Sequence, residues 1–247
     1  MKSVDVKNLN NILISKHWDD ICALRDTQIK SGIDVSYSDT LQPFILDRIK
    51  NLDKTKVLDL GCGTGILSSE LAKHSHYVTA IDISSNSINI AKNNYSKINN
   101  INFINTDIVN LQETGFNLII SNMVFQDILN IDECLQHMIR VTDPSATIIA
   151  TFTHPCFWPI YWNYSSKEWF NYNNTIAIVA PFKIQNDPHC DLETIHIHRS
   201  IECYFNLFSK YNLRLLQFNE LSSFEIADKE GNISKFPKFL GIVLSRS

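Results

Sequence analysis

Short apolar runs alternate with stretches of helical period through the middle of the chain. Residues 57–60 are apolar except for Asp59 and read as a buried strand. Beyond a glycine turn, Ile66, Leu67, Leu71 and Ala72 recur on one helical face. The same alternation continues. Strands are predicted over 77–82, 102–107, 116–121 and 146–152, with helices over 85–96 and 131–141, the first capped by Ser84 or Ser85. Alternating strands and helices predict βα units and a doubly wound, mostly parallel α/β sheet. Ahead of it, helices are expected around Trp18, Ile21 and Cys22 and over 41–52, with a loop at 32–38. Behind it, strands are predicted over 175–184 and 194–199 across a polar loop, then a helix over 199–211 with Ile201, Tyr204, Phe205 and Phe208 inward. Strands over 213–221 and 239–245 close the chain.

The chemistry concentrates where the first strand ends. Three of the seven glycines are Gly61, Gly63 and Gly65. Glycine suits a turn that needs φ > 0 and lets a ligand approach the backbone. The spacing fits neither a dinucleotide loop, whose third glycine comes one residue later, nor a P-loop, which needs a lysine after its last glycine. Asp59 just upstream would repel a pyrophosphate and hold an ammonium group. Asp82 ends the second strand about 20 residues past the loop, where ribose hydroxyls are commonly gripped. Asp107 ends the third and can accept from an exocyclic amine. Amine, ribose and adenine together describe S-adenosylmethionine.

These residues resemble the class I S-adenosylmethionine-dependent methyltransferases, closely over roughly 55–125 and more loosely elsewhere. The resemblance implies a seven-stranded sheet closed by an antiparallel hairpin. It also implies a cofactor site made of Asp59, Gly61, Gly63, Gly65, Asp82, Ile83, Asp107, Ile108, Asn122 and Met123. N-terminal helices close over the cofactor in such proteins, so Tyr37 either reaches it or only packs on the sheet. One domain is expected, divided into a helical cap (1–54), a cofactor core (55–153), an acceptor-side insertion (154–198) and a C-terminal helix with hairpin (199–247).

Composition narrows the acceptor. A net charge of −4 gives no footprint for nucleic acid or an anionic membrane. Residues 122–125 lack the tetrad of DNA amine methylation and the Pro-Cys of cytosine-C5 enzymes. No apolar run reaches the ~18 residues of a membrane span, and the six scattered cysteines predict reduced thiols and a cytoplasmic protein. The expected reaction is methyl transfer to an oxygen or nitrogen of a small, aromatic or amine-bearing molecule. Alternatives are a non-catalytic cofactor-binding partner or sensor, and an RNA or protein methyltransferase. The sequence leaves the oligomeric state open.

On the acceptor side, His154 follows the fifth strand and is the candidate base, with His196 and His198 behind it. Its rival role is to hydrogen-bond the following segment. From 157 to 172, eight of sixteen residues are aromatic. Either they bury their rings against the sheet, or they stack on substrate through Trp158, Tyr161 or Trp162. Phe125, His198 and Arg199 complete the expected substrate set. His189, Cys190, His196 and His198 match no zinc spacing, so no metal is expected.

Overall fold

The computed structural model describes residues 1–184, 190–227 and 230–246. In chain order its elements are β1 (Lys2–Val4), α1 (Asn11–Lys30), α2 (Gln42–Arg48), β2 (Lys56–Leu60), α3 (Ile66–Ala72), β3 (Tyr77–Asp82) and α4 (Ser85–Asn94). There follow β4 (Ile101–Asn105), β5 (Phe116–Asn122), α5 (Ile131–Val141), β6 (Thr142–Thr153) and α6 (Trp158–Tyr161). The chain ends with β7 (Ile176–Pro181), β8 (Glu193–His198), α7 (Ile201–Lys210), β9 (Leu213–Ala227) and β10 (Ile233–Arg246).

A seven-stranded sheet runs β4-β3-β2-β5-β6-β10-β9. Strands β4, β3, β2, β5 and β6 are parallel, and β10 pairs antiparallel with both β6 and β9. The order reverses between β2 and β3 on one side and β5 on the other. A ligand crevice opens there, outside the carboxyl ends of the strands. Because neighbouring side chains alternate between faces, Leu58, Ile119 and Ile148 pack with α5 and α7, while Val57, Leu118 and Ile149 pack with α2, α3 and α4.

Three features go beyond the sequence pattern. First, β1 joins β7 and β8 in a separate antiparallel sheet, which the short run Lys2–Val4 does not advertise. One face of this sheet (Ala177, Val179, Ile195, Ile197) packs on Ile14 and Trp18 of α1. Its other face (Ile176, Ile178, Ala180) receives Trp162 and Tyr164. Second, the hairpin strands β9 and β10 outrun the sheet. Contact with β6 starts only at Phe239, and the extra length stacks Phe224 on Tyr161 and Phe236 on Phe157, with centroids 5.0 and 5.2 Å apart. Third, the expected loop at 32–38 gives way from Tyr37 onward to a π-helical turn leading into α2. Residues 142–145 belong to β6, whose register with β5 shifts between Phe116 and Leu118, and there the Asp143 carboxylate accepts the N–H (2.9 Å) and O–H (2.7 Å) of Ser145.

Helix α1 spans the crevice and is tied down along its length. The Asn10 side chain caps it by accepting from the Leu13 N–H. Ser15 Oγ donates to the Ile83 carbonyl (2.9 Å). The Asp19 carboxylate accepts from Ser84 Oγ (2.7 Å) and the Asn86 N–H (2.9 Å), at the amino end of α4 where a negative charge is favoured. Asp19→Ala should cost roughly 1.5–3 kcal/mol through these charge-assisted bonds. Hydrogen exchange should then quicken in α1 and stay unchanged in β2 and β5. Uniform loss of protection would show that α1 is not a separately opening unit.

Candidate active site

The crevice holds a cavity of about 240 Å³. Its floor is the glycine turn. Gly61, Gly63 and Gly65 have φ of 71°, 53° and 82°. A Cβ on Gly61 would lie 2.4 Å from Val124, so the close approach of the β2 and β5 ends requires glycine. Gly65 does not line the cavity. It turns the chain into α3, and a Cβ there would lie 2.8 Å from the Phe103 ring.

Three carboxylates stand along one wall. Asp82 Oδ2 accepts the Gly63 N–H and Oδ1 accepts the Ser84 N–H, both at 2.8 Å. Each oxygen keeps a lone pair for a ligand hydroxyl. Burial pushes Asp82 up to about 6, against the pull of those two amides. Asp59 is buried beneath the turn and accepts from Ser68 Oγ (2.6 Å). Burial raises it to about 7. Asp107 caps the turn that follows β4 and accepts from Asn11 Nδ2 of α1 (2.7 Å). Opposite, Asn122 and Met123 end β5. Met123 has φ of 58°, an unusual conformation for a non-glycine residue, and its N–H donates to the Thr151 carbonyl (2.8 Å).

The cavity therefore gathers Tyr37, Asp59, Gly61, Gly63, Asp82, Ile83, Asp107, Ile108, Asn122 and Met123, all of the expected cofactor set except Gly65. The fit to an adenosyl cofactor rests on more than proximity. Tyr37 is buried and lines the cavity, and its hydroxyl has no hydrogen-bond partner among the described residues. A ligand acceptor is what such a group lacks. Asp82 keeps acceptor capacity for ligand hydroxyls beside the glycine turn. Ile83 and Ile108 offer apolar flanks for a flat ring.

The expected substrate set falls elsewhere. Phe125, Trp158, Tyr161, Trp162, His198 and Arg199 do not line this cavity. Phe125 is core, between Phe152 and Tyr204. Trp162 is buried against the second sheet, and Trp158 and Tyr161 stack between it and the hairpin. The aromatic run is thus spent on covering that sheet's outer face. Arg199, 3% exposed, donates to the carbonyls of Phe125 (3.2 Å), Ile128 and Leu129 (2.9 Å). It clamps the segment after β5.

His154 does not reach the cavity either. It is buried, with Trp158, His198 and Arg199, in a cleft with no room for a water molecule. Its Nδ1 accepts the Cys156 N–H (3.2 Å), so Nε2 carries the proton given to Glu220 (3.1 Å). Burial lowers its pKa, with Glu220 opposing. A ring so engaged has no lone pair to offer an acceptor. His196 is pushed down to about 3 by burial, and His198 is also lowered, bonded to the Tyr172 carbonyl. Among the described residues no three His, Cys, Asp or Glu side chains converge on a metal position. His189 lies outside the described residues.

The sequence reading missed Asp127, which lines the cavity from the segment after β5. It also missed the α1 residues Asn11, Ile14, Trp18, Cys22 and Arg25, which line the roof. Their i, i+3/i+4 spacing was the available signal, and α1 carries it among polar residues.

A family model described as a methyltransferase domain matches residues 51–189. Over 209 residues the chain is 26% identical to malonyl-[acyl-carrier protein] O-methyltransferase of Bacillus cereus, covering 82% of this chain and 77% of that one. Over 93 residues it is 39% identical to ubiquinone biosynthesis O-methyltransferase of Coxiella burnetii, covering 37% of this chain and 35% of that one. Among solved structures, an S-adenosylmethionine-dependent methyltransferase from Clostridium acetobutylicum superposes with a TM-score of 0.66 at 17% identity, covering 92% of this chain and 98% of that one. The N-methyltransferase NodS of Bradyrhizobium japonicum, solved with S-adenosylhomocysteine, gives 0.52 at 13% identity, with 80% of each chain covered. Among the described residues no helix is long and apolar enough to cross a membrane. The chain belongs to the methyltransferase-domain family and is an S-adenosylmethionine-dependent methyltransferase of the class I fold.

Proposed function

We propose that this enzyme methylates an oxygen atom of a small molecule. The observation that carries the reading is the shape of the site. The acids reserved for the cofactor face a cavity roofed by α1, which is latched at Ser15 and Asp19. Such a site admits a small acceptor and offers no open basic groove for a polymer. Arg25 is the single cation among the described lining residues. Oxygen is favoured over nitrogen because both curated relatives described above are O-methyltransferases by name.

When bound, the cofactor supplies an electrophilic methyl group on a sulfonium. The protein's part is mainly placement for an in-line displacement. Asp82 would hold the ribose hydroxyls, Asp107 the adenine amine, and the glycine turn the amino-acid tail. Tyr37 and Asn122 would flank that tail. Asn11 now occupies one oxygen of Asp107 and would share it with the adenine amine.

The direct test incubates the protein and S-adenosylmethionine with separate panels of phenols, alcohols, carboxylic acids, amines, transfer RNA and protein. S-adenosylhomocysteine should form with an oxygen acceptor. Formation only with amines or with polymers would refute the reading, and tight binding without product throughout would mark a non-catalytic binding protein.

Asp82→Ala should weaken cofactor binding by roughly 10- to 100-fold, since hydrogen bonds to a charged group contribute about 1.5–3 kcal/mol. Equal affinity by calorimetry would remove the ribose from Asp82.

Binding should also depend on pH. Asp82 and Asp59 have folded-state values near 6 and 7, above the unfolded value of 3.8. Between about 4 and 7 the empty folded protein therefore holds protons that the unfolded chain gives up. The stability they contribute is complete below the unfolded value and is lost as pH rises through 6 to 7. A ligand that donates to these carboxylates favours the ionised form. Affinity should thus rise between pH 5.5 and 7.5, by at most about tenfold per unit per group, with proton release on binding. Affinity that is flat across this range, or proton uptake in calorimetry, would contradict the assignment.

A further inference from the structure

An oxygen that still carries its proton needs a proton acceptor beside it when the methyl group arrives. Among the described residues no histidine lines the cavity. Its carboxyl groups are Asp59, Asp82, Asp107, Asp127 and Glu133. Asp59 is held by Ser68 beneath the glycine turn. Asp82 bridges two backbone amides. Asp107 caps its own turn and accepts from Asn11. Glu133 is exposed in the first turn of α5 and accepts from Asn130 (3.1 Å).

Asp127 is held differently. Its backbone is fixed by its own N–H to the Val124 carbonyl (2.8 Å), and by the Arg199 clamp on the carbonyls of Phe125, Ile128 and Leu129. Its side chain is steered by the Gln126 amide, which donates to Oδ2 (3.0 Å) and to the Met123 carbonyl (2.6 Å). The Gln126 backbone is itself pinned where its main-chain carbonyl accepts the Ile197 N–H (2.7 Å). The carboxyl group is thus locked at the end of β5, on the segment that carries the strained Met123 and Asn122. It lines the same cavity as Asp82, near enough for the Asp82 charge to act on it.

We propose that Asp127 is the catalytic proton acceptor for the methylated oxygen, with Gln126 and Arg199 as its positioning residues. The proposal rests on the oxygen-transfer reading above. The acceptor's proton passes to the Asp127 oxygen not held by Gln126. The acceptor's lone pair bonds the methyl carbon, and the carbon–sulfur pair returns to sulfur. The products are a methylated oxygen, a neutral thioether and a protonated Asp127, which returns its proton to solvent. The electrostatics suit the task. Burial pushes Asp127 well above the usual carboxylate range, the Gln126 amide and the Arg199 charge pull it back, and Asp82 pushes it up again. A base works best when its proton affinity lies near the working pH.

The test uses the full chain and whichever phenol or alcohol of the panel gives most product; product from carboxylic acids alone would overturn the role, because a carboxylate arrives without a proton. Asp127→Asn, which keeps size and shape, should cut kcat by about 10²-fold or more. It should leave S-adenosylhomocysteine affinity within about twofold and abolish the acidic limb of kcat measured at saturating S-adenosylmethionine and acceptor. Gln126→Leu removes a donor to the ionised form, so it should move that limb to higher pH. Carbon-13 NMR of labelled aspartate in the S-adenosylhomocysteine complex reads the same group without turnover. A carboxyl signal absent from Asp127→Asn should titrate above the ordinary aspartate range in wild type, and higher still in Gln126→Leu. Turnover by Asp127→Asn at the wild-type rate, or titration of Asp127 near the ordinary value of about 3.9, would overturn the role and leave oxygen methylation standing. No product from any oxygen acceptor would overturn both.

Discussion

The carboxylate of Asp82 is the joint on which the site depends. One oxygen takes an amide from the glycine turn after β2, the other an amide from the start of α4. Ser84, whose amide is one of these, also caps α4 through its hydroxyl and donates to Asp19 of α1. Floor, wall and roof of the cavity therefore meet at one carboxylate and its neighbour. A backbone with three left-handed glycines would otherwise have several geometries available. Two charge-assisted bonds to a fixed acid select one.

This joint explains why the cofactor side was legible in the sequence. An acid at the end of a predicted strand, in register with a glycine turn, is a local pattern that the parallel sheet converts into a spatial one. Asp59, Asp82 and Asp107 were legible for that reason. The parallel core followed from the same alternation of strand and helix, and the family resemblance implied the seven strands.

The acceptor side was less legible, because residue type there does not reveal direction. A run rich in tryptophan and tyrosine suits a stacking pocket or the cover of a sheet equally well. Only the existence of a second sheet, made partly from Lys2–Val4 at the far end of the chain, decides for cover. The position of His154 just past β6 was read correctly. Its commitment to Cys156 and Glu220 depends on the overlong hairpin, a feature that strand patterns at 213–221 and 239–245 do not announce. Asp127 lies in a segment without a motif, and its significance emerges from the Arg199 and Gln126 contacts, more than 70 residues away in one case.

The remaining constraint is the accumulation of acid. Asp59, Asp82, Asp107 and Asp127 share one cavity with a single arginine, and that arginine is bonded to Asp34 (2.8 Å). Burial raises both Asp59 and Asp127, and the Asp82 charge adds to each. An empty cavity of this kind works against the folded state, because it must either keep protons that solvent would take or hold like charges together. A ligand carrying a sulfonium and an ammonium group relieves both problems at once. The same electrostatics that make the empty site costly therefore select a cation.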